Sequence, residues 1–354
     1  MYCPLDWGLG HASRGIFLIR KILDRGHRVT IAADNESLAL LRKEFPDLKW
    51  IRFPSCRIRY SKKIPLVLKL LFSLPRIMVG IFREHQQLSN IISNLNIDVV
   101  ISDNRYGLWN NKITTVFITH QISIRLPRWI MWFEYPLYKL NRAQIQKFSY
   151  LWIPDEPEEN NLSGDLVRKY PLPVNARFIG IISRFATPGS FDELDSGRGF
   201  EILVILSGPE PQRSILEALI SQQLKGSKFR TLMVRGMPSK PEEETKTGNV
   251  TMVSHLPSVK LRNYIINAKF IICRPGYSTI MDLIVLGKTA LLIPTPGQTE
   301  QEYLGYRMHE KKLFMCMQQN ELHLEQAFSE LGDSTIRFAL SVNLPDKAFD
   351  EISL

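Results

Sequence analysis

No uncharged apolar run of about 18 residues occurs in this 354-residue chain. Nothing in it therefore has the length of a membrane-spanning helix. Cysteine is scarce: Cys3, Cys56, Cys273 and Cys316 show no CxxC spacing and no paired framework, which speaks against a disulfide scaffold and for a reducing compartment. Pro4 and Asp6 interrupt the N-terminus before an apolar core could form, so a signal peptide is not expected. There is no DxD pair to bridge a cation to a diphosphate, no low-complexity tract and no repeat of solenoid period. Acidic residues are the minority charge, 35 Asp and Glu against 45 Lys and Arg, for a net charge of +10. Such a balance suits nucleic acid, an anionic membrane surface or an anionic substrate. Zinc-finger spacing, an RNP-like motif and a helix-turn-helix are all missing, which argues against nucleic acid.

What remains is long enough for two domains of ordinary size. At 44% hydrophobic residues, both can bury a core. Apolar strand-like runs alternate with amphipathic helical patterns in both halves. That order predicts an α/β protein with two Rossmann-like domains whose parallel sheets face a cleft. The expected boundaries are 1–184 for the first domain, 185–199 for a Gly/Ser/Asp-rich linker, 200–345 for the second domain and 346–354 for a tail.

The most informative stretch runs from Ile271 to Tyr303. Phe270–Cys273 reads as a buried strand that breaks at Arg274-Pro275-Gly276. Ser278 or Thr279 is placed to cap the next helix, and Gly287 to stop it. Such a turn presents free amide N–H groups and a helix N-terminus, which suit an anionic or polar ligand. Asp282 lies one turn into that helix. After a strand over 289–293, the Pro-rich loop leads to Gln298, Glu300, Gln301 and Glu302, all able to bind hydroxyls.

In the first half, Gly8-Leu9-Gly10-His11 follows Met1–Cys3, which is half a strand at most; either the strand is short or a few residues have been trimmed. The loop opens a helix with Ile16, Leu18, Ile19, Ile22 and Leu23 inward. Asp103 closes the strand 97–103, and His120 and Gln121 close the strand 114–121. Ligands of open α/β sheets bind beyond the carboxyl ends of the strands, so these residues share an edge with His11. His27, His255 and His309 are expected at the surface. Residues 61–83 and 124–139 are both basic and strongly apolar, with Pro65 and Pro75 expected to break the first into short helices. Basic residues beside Trp and Tyr suit a bilayer interface. The segment 156–165 reads as an acidic surface loop or helix start, 240–248 as a charged loop, and 322–331 and 335–342 as helices.

The 271–303 stretch resembles the C-terminal signature of the glycosyltransferase family 28 group, which includes the N-acetylglucosaminyltransferase of the peptidoglycan lipid precursor. Arg274, Gly276, Thr279 and Asp282 fall on its Arg-x-Gly-x-x-Thr-x-x-Glu pattern, and Gln301-Glu302 on its Gln pair. Asp stands where the group has Glu, and Glu302 where it has a second Gln. The resemblance implies a GT-B glycosyltransferase whose donor is a UDP-sugar, with no other cofactor and no metal. Asp282 would hold the ribose and the Gln301-Glu302 pair the sugar. Gly8 and Gly10 would face a phosphate, as would Ser207 and Gly208 in a second loop where Pro209 removes one donor. His255 and Leu256 would read the uracil edge through the backbone, and Arg184 would approach the diphosphate. His11 is the candidate base, oriented by Asp103. A hydroxyl acceptor on a lipid or envelope glycan, met on the inner face of the cell membrane by a cytoplasmic, peripheral protein, completes the expectation. Two alternatives share the donor site: a UDP-sugar 2-epimerase, and a non-catalytic sugar-nucleotide-binding subunit docked on the membrane.

Overall fold

The computed structural model describes residues 1–55, 66–186, 199–331, 335–338, 340 and 344–352. The first domain runs β1 (Tyr2–Pro4), α1 (Leu9–Asp24), β2 (Thr30–Ala33), α2 (Asn35–Glu44), β3 (Lys49–Arg52), α3 (Leu66–Leu95), β4 (Val99–Asp103) and β5 (Thr114–Ile118). A 3-10 turn (Arg128–Phe133) leads into α4 (Glu134–Ile145), followed by β6 (Tyr150–Ile153), α5 (Asp165–Arg168) and β7 (Ala176–Phe178). These strands form one parallel sheet in the order β3-β2-β1-β4-β5-β6-β7. The order reverses between β1 and β4, so the loops after those two strands part to opposite faces and leave a crevice.

The second domain repeats this plan with β8 (Ile202–Ile205), α6 (Gln212–Gln223), β9 (Thr231–Val234), β10 (Glu244–Thr247), β11 (Val250–Val253), α7 (Ser258–Asn267) and β12 (Phe270–Cys273). It continues through α8 (Tyr277–Val285), β13 (Leu291–Leu292), α9 (Thr299–Glu310), β14 (Met315–Cys316), α10 (Leu324–Leu331) and α11 (Leu344–Glu351). Its sheet order is β10-β11-β9-β8-β12-β13-β14, with β10 antiparallel to β11 and the other pairings parallel. The crevice of this sheet lies between β8 and β12. The expected α/β class and GT-B architecture therefore stand.

Several local readings change. Pro75 lies inside α3, a single helix of 30 residues in which it forfeits one backbone bond. The remainder of the basic stretch, including Lys62 and Lys63, lies outside the described residues. The charged loop at 240–248 contains β10, which is exposed along its whole length and so carries no apolar signal. The expected helix over 335–342 does not form where it is described: residues 335–338 and 340 are not helical, and Thr335 forms an antiparallel bridge with Lys288. The final helix is α11 instead, where Pro345 sits in the first turn, the one place a helix tolerates it without loss. It includes most of the expected tail and returns to the first domain: Phe349 packs edge-on against Trp152 and Asp346 takes Lys21 and Arg25. The 156–165 loop is partly buried, because Asp155 accepts the backbone N–H groups of Glu156, Leu162 and Ser163 at 2.8–2.9 Å.

One contact in the first domain positions the site. Helix α1 buries Ala12, Ile16, Leu18 and Ile19 on the sheet, and Gly15 lies against the Tyr2 side chain of β1. A Cβ at Gly15 would run into that ring. Overpacking of a core contact costs about 1–3 kcal/mol or more, against about 1 kcal/mol gained from alanine's helix propensity. Gly15→Ala is therefore expected to lower the urea midpoint of unfolding. A variant as stable as the parent would show that α1 and Tyr2 are not so closely packed.

Candidate functional site

The carboxyl ends of β1, β4 and β5 meet the second domain, and the groups there are linked in a chain. Asp103, fully buried at the end of β4, accepts Arg14 Nε at 2.7 Å and also takes Arg14 Nη2. His11 Nδ1 lies 2.7 Å from Asp103 Oδ1, and the Tyr2 hydroxyl lies 3.0 Å from Oδ2 and 2.8 Å from the His11 carbonyl. Arg14 Nη1 reaches His120 Nδ1 at 3.2 Å, and His120 Nε2 reaches Glu300 Oε1 of α9 at 2.8 Å. The His120 ring stacks on Tyr277 of α8, with centroids 4.1 Å apart and planes within 7°.

The protonation states follow from these partners. Burial alone would raise the Asp103 carboxyl, but Arg14 and then His11 outweigh it and hold the group well below the usual carboxylate range. Asp103 is thus a carboxylate; His11 Nδ1 faces both its Oδ1 and, at 2.9 Å, Arg14 Nη2, and a proton held on Nδ1 toward Asp103 leaves Nε2 as the acceptor. Burial lowers His120 despite the opposing pull of Glu300, so His120 is neutral at pH 7. Its Nε2–H donates to Glu300, and its Nδ1 accepts from Arg14. Glu300 is itself held low: burial works to raise it, and the His120 hydrogen bond prevails.

The two domains touch directly here. Gly8, with φ +142, ends the loop before α1. Gly10 lets α8 approach: Ser278 Oγ donates to the Gly10 carbonyl at 2.8 Å, and a Cβ at Gly10 would stand 3.3 Å from that oxygen. Ser278 therefore does not cap α8. Gly276 occupies the cap position, and neither Ser278 nor Thr279 makes a capping bond. Helix α9 presents one face to the first domain, where Thr299 Oγ1 donates to the Arg125 carbonyl, Asp165 N–H donates to the Tyr303 hydroxyl, and Arg307 donates to the Asn161 and Leu162 carbonyls. The spacing of 299, 300, 303 and 307 is that of a single helical stripe.

Other expected residues have different surroundings. Gln301 Oε1 accepts the Thr295 N–H at 2.9 Å and Glu302 Oε1 the Gly297 N–H at 2.8 Å, so both brace the Pro-rich loop behind Gln298, the cap of α9. Arg274 is buried and donates to the carbonyls of Ile293, Pro294 and Gln212 and to Gln319 Oε1 at 2.7–3.1 Å, pinning that loop to α6; burial pulls its guanidinium down to about 10. Asp282 accepts Ser183 Oγ at 2.5 Å and Arg184 Nε at 3.0 Å, from the segment leaving the first domain. Burial raises the Asp282 carboxyl in spite of Arg184. Gln121 contributes its backbone, with N–H to Thr119 Oγ1 at 3.1 Å. Ser207 and Gly208 lie half-buried after β8, Gly208 at φ +93, and Leu256 is half-buried beside the core.

His255 is not at the surface. It is buried, its Nε2 has no hydrogen-bond partner, and burial, with Arg184 and Lys43 nearby, lowers it to about 4. Sequence reasoning missed Arg14, Tyr2, Tyr277 and Ser183, and it read Glu300 as a hydroxyl-binding group where the structure bonds it to His120. Arg14 had a signal, because it stands three residues after His11 and so on the same helical face. The reach of Glu300 across the interface had none. Among the described residues no group of three His, Cys, Asp or Glu side chains is gathered to hold a metal ion.

Residues 204–335, the larger part of the second domain, match the glycosyltransferase family 28 C-terminal domain. No curated protein matches the chain in sequence. Solved structures do match along almost the whole chain. The glycosyltransferase SnogD from Streptomyces nogalater is 14% identical at a TM-score of 0.58, covering 99% of this chain and 94% of its own. The spinosyn rhamnosyltransferase SpnG, solved with thymidine diphosphate, is 12% identical at 0.59, covering 100% and 91%. An Arabidopsis thaliana enzyme solved with UDP-L-rhamnose is 14% identical at 0.58, covering 93% and 88%. The fold is that of the GT-B glycosyltransferases.

The buried His255 carries a pH signature. Its folded pKa, about 4, lies below the ordinary value of about 6.5, so the unfolded chain binds a proton first. The stability it contributes is present above about pH 6.5 and falls away as pH drops toward about 4. Between pH 7 and pH 5 the loss from this group is about 2 kcal/mol. His255→Gln is expected to lose that much less over the same interval in urea unfolding. Equal losses in parent and variant would mean that the imidazole is solvated.

Proposed function

We propose that this protein is a metal-independent, inverting glycosyltransferase that moves a hexose or N-acetylhexosamine from a UDP-sugar to a hydroxyl acceptor. The observation that carries the reading is the His11–Asp103 pair, seated at the crevice of the first sheet and facing the N-terminus of α8 in the second. His11 Nε2 takes the proton of the acceptor hydroxyl, the acceptor oxygen bonds to the anomeric carbon, and the bond from that carbon to the diphosphate breaks. Attack from the side of the first domain, with departure toward the second, inverts the anomeric centre. In this reading the amide N–H groups at the start of α8 and the Arg184 guanidinium, paired with Asp282 of the same helix, offset the charge of the departing diphosphate. A donor ribose reaching Asp282 exchanges for one of the bonds from Ser183 or Arg184, which couples nucleotide binding to the interdomain segment.

The acceptor is lipid-linked in this reading. The 3-10 turn before α4 buries none of its side chains, and Trp129 and Trp132 are 62% and 75% exposed, with Met131 and Tyr135 beside them and Arg128 and Lys139 also exposed. On α3, Met78, Val79 and Phe82 are exposed between the exposed Arg76 and Arg83. Exposed aromatics among cations are the chemistry of an interface with anionic lipid. No helix among the described residues is long and apolar enough to cross a membrane, so the contact is made from one side.

Three measurements test this reading. The first is release of free UDP from a panel of UDP-sugars, with and without membrane lipid extract. Transfer predicts acceptor-dependent release, whereas a UDP-sugar 2-epimerase or a non-catalytic binder would show binding without it. Second, Asp282→Ala is expected to weaken UDP by about 1–3 kcal/mol in calorimetry, the cost of a lost charge-assisted bond. Unchanged affinity in a folded variant would remove Asp282 from the site. Third, flotation with phosphatidylglycerol vesicles should recover the protein at low salt and less of it as salt rises, at about 1 kcal/mol per basic residue. Arg76→Gln with Arg128→Gln should weaken flotation in a salt-dependent way, and Trp129→Ala with Trp132→Ala with less salt dependence. A wild-type protein that stays soluble at low salt would point to a soluble acceptor.

A further inference from the structure

His11 stands beside two fixed charges of opposite sign, and their geometry gives them different tasks. Asp103 Oδ1, 2.7 Å from His11 Nδ1, orients the ring and favours its protonated form. Arg14 Nη2, 2.9 Å from the same nitrogen, opposes that form. The Arg14 side chain is buried and cannot lose its proton, and its two contacts with Asp103 fix both residues in one plane. The remaining groups around them are Tyr2 from β1, His120 after β5, Tyr277 from α8 and Glu300 from α9. His120 is neutral and donates to Glu300, so among these described residues Arg14 is the one fixed cation.

We infer that Arg14 is a positioning residue for the His11–Asp103 pair: it clamps the carboxylate and offsets its charge, so that His11 stays oriented yet keeps Nε2 free to accept a proton. The inference rests on the reading of His11 as the base. Without Arg14, a bare buried carboxylate would draw a proton onto the imidazole, and a ring that already holds its proton cannot take one from the acceptor. The Arg14 bond to His120 extends the same clamp to Glu300, so the base is set from both domains.

The test is a histidine NMR titration of the intact, ligand-free protein, with His11 assigned from His11→Gln. In Arg14→Met the His11 ring is expected to titrate higher than in wild type by about one unit or more, the usual effect of exposing a group to an opposite charge within about 4–6 Å. Arg14→Lys, which keeps the charge, should stay within about half a unit. Should Arg14→Met not fold, the doubly neutral variant Arg14→Met with Asp103→Asn gives the same comparison, since removing both charges should return His11 to within about half a unit of wild type. A folded Arg14→Met protein with His11 at the wild-type position, or a double variant displaced by more than about a unit, overturns the inference. This readout needs no turnover, so it separates failure of the Arg14 inference from failure of the transferase reading. Where transfer is measured, the acid limb of the kcat/KM profile should move up with the ring, a shift that a merely structural arginine would not produce.

Discussion

The carboxylate of Asp103 is fully buried at the end of a central strand, and a bare charge there would be untenable. Much of the arrangement around it answers that constraint. Arg14 must be buried beside it, which fixes the rotation of α1 about its axis. That rotation places His11, three residues earlier, on the same carboxylate. Tyr2 adds a hydroxyl from β1, and it reaches Asp103 because Gly15 leaves room for its ring. The candidate base, its orienting acid and the counter-ion are thus one packing unit rather than three independent choices.

The same unit reaches into the second domain. His120 needs a partner for each ring nitrogen and finds Arg14 on one side and Glu300 on the other. Glu300 belongs to the stripe of α9 that meets the first domain, while Gln301 and Glu302, on the other side of that helix, hold its own Pro-rich loop. Helix α2 adds a second set of contacts, with Glu44 accepting from Ser258 at the start of α7 and from Arg20. The domain interface combines these hydrogen bonds with a buried apolar cluster shared by both domains, which includes Ile16 and Ile19 of α1 and Tyr277, Ile280 and Met281 of α8.

Much of this was legible in the sequence, and the rest was hidden for identifiable reasons. Strand and helix order predicted both sheets, because parallel strands read as short apolar runs and their helices as amphipathic ones. His11 and Asp103 could be paired because both follow central strands. Strand β10 was not legible, because Glu244-Thr-Lys-Thr247 has no buried face. The burial of His255 was equally hidden, since one histidine after a strand looks the same whether solvated or enclosed. Arg274 and Gln301 fit a family pattern, yet a pattern does not say whether a side chain faces a ligand or a backbone carbonyl. Contacts between domains, such as Glu300 with His120, depend on how two folded bodies dock, and no local signal encodes that.

The central claim is that the His11–Asp103 pair performs chemistry and does not merely join two domains. It is tested most directly by comparing wild type with His11→Ala in the UDP-release assay, alongside calorimetry with UDP and a urea unfolding curve. The account predicts a folded variant that binds UDP as wild type does and turns over roughly 100-fold more slowly or worse, the usual contribution of a general base. A folded His11→Ala protein with near-normal turnover would contradict it and return the whole network to a structural role.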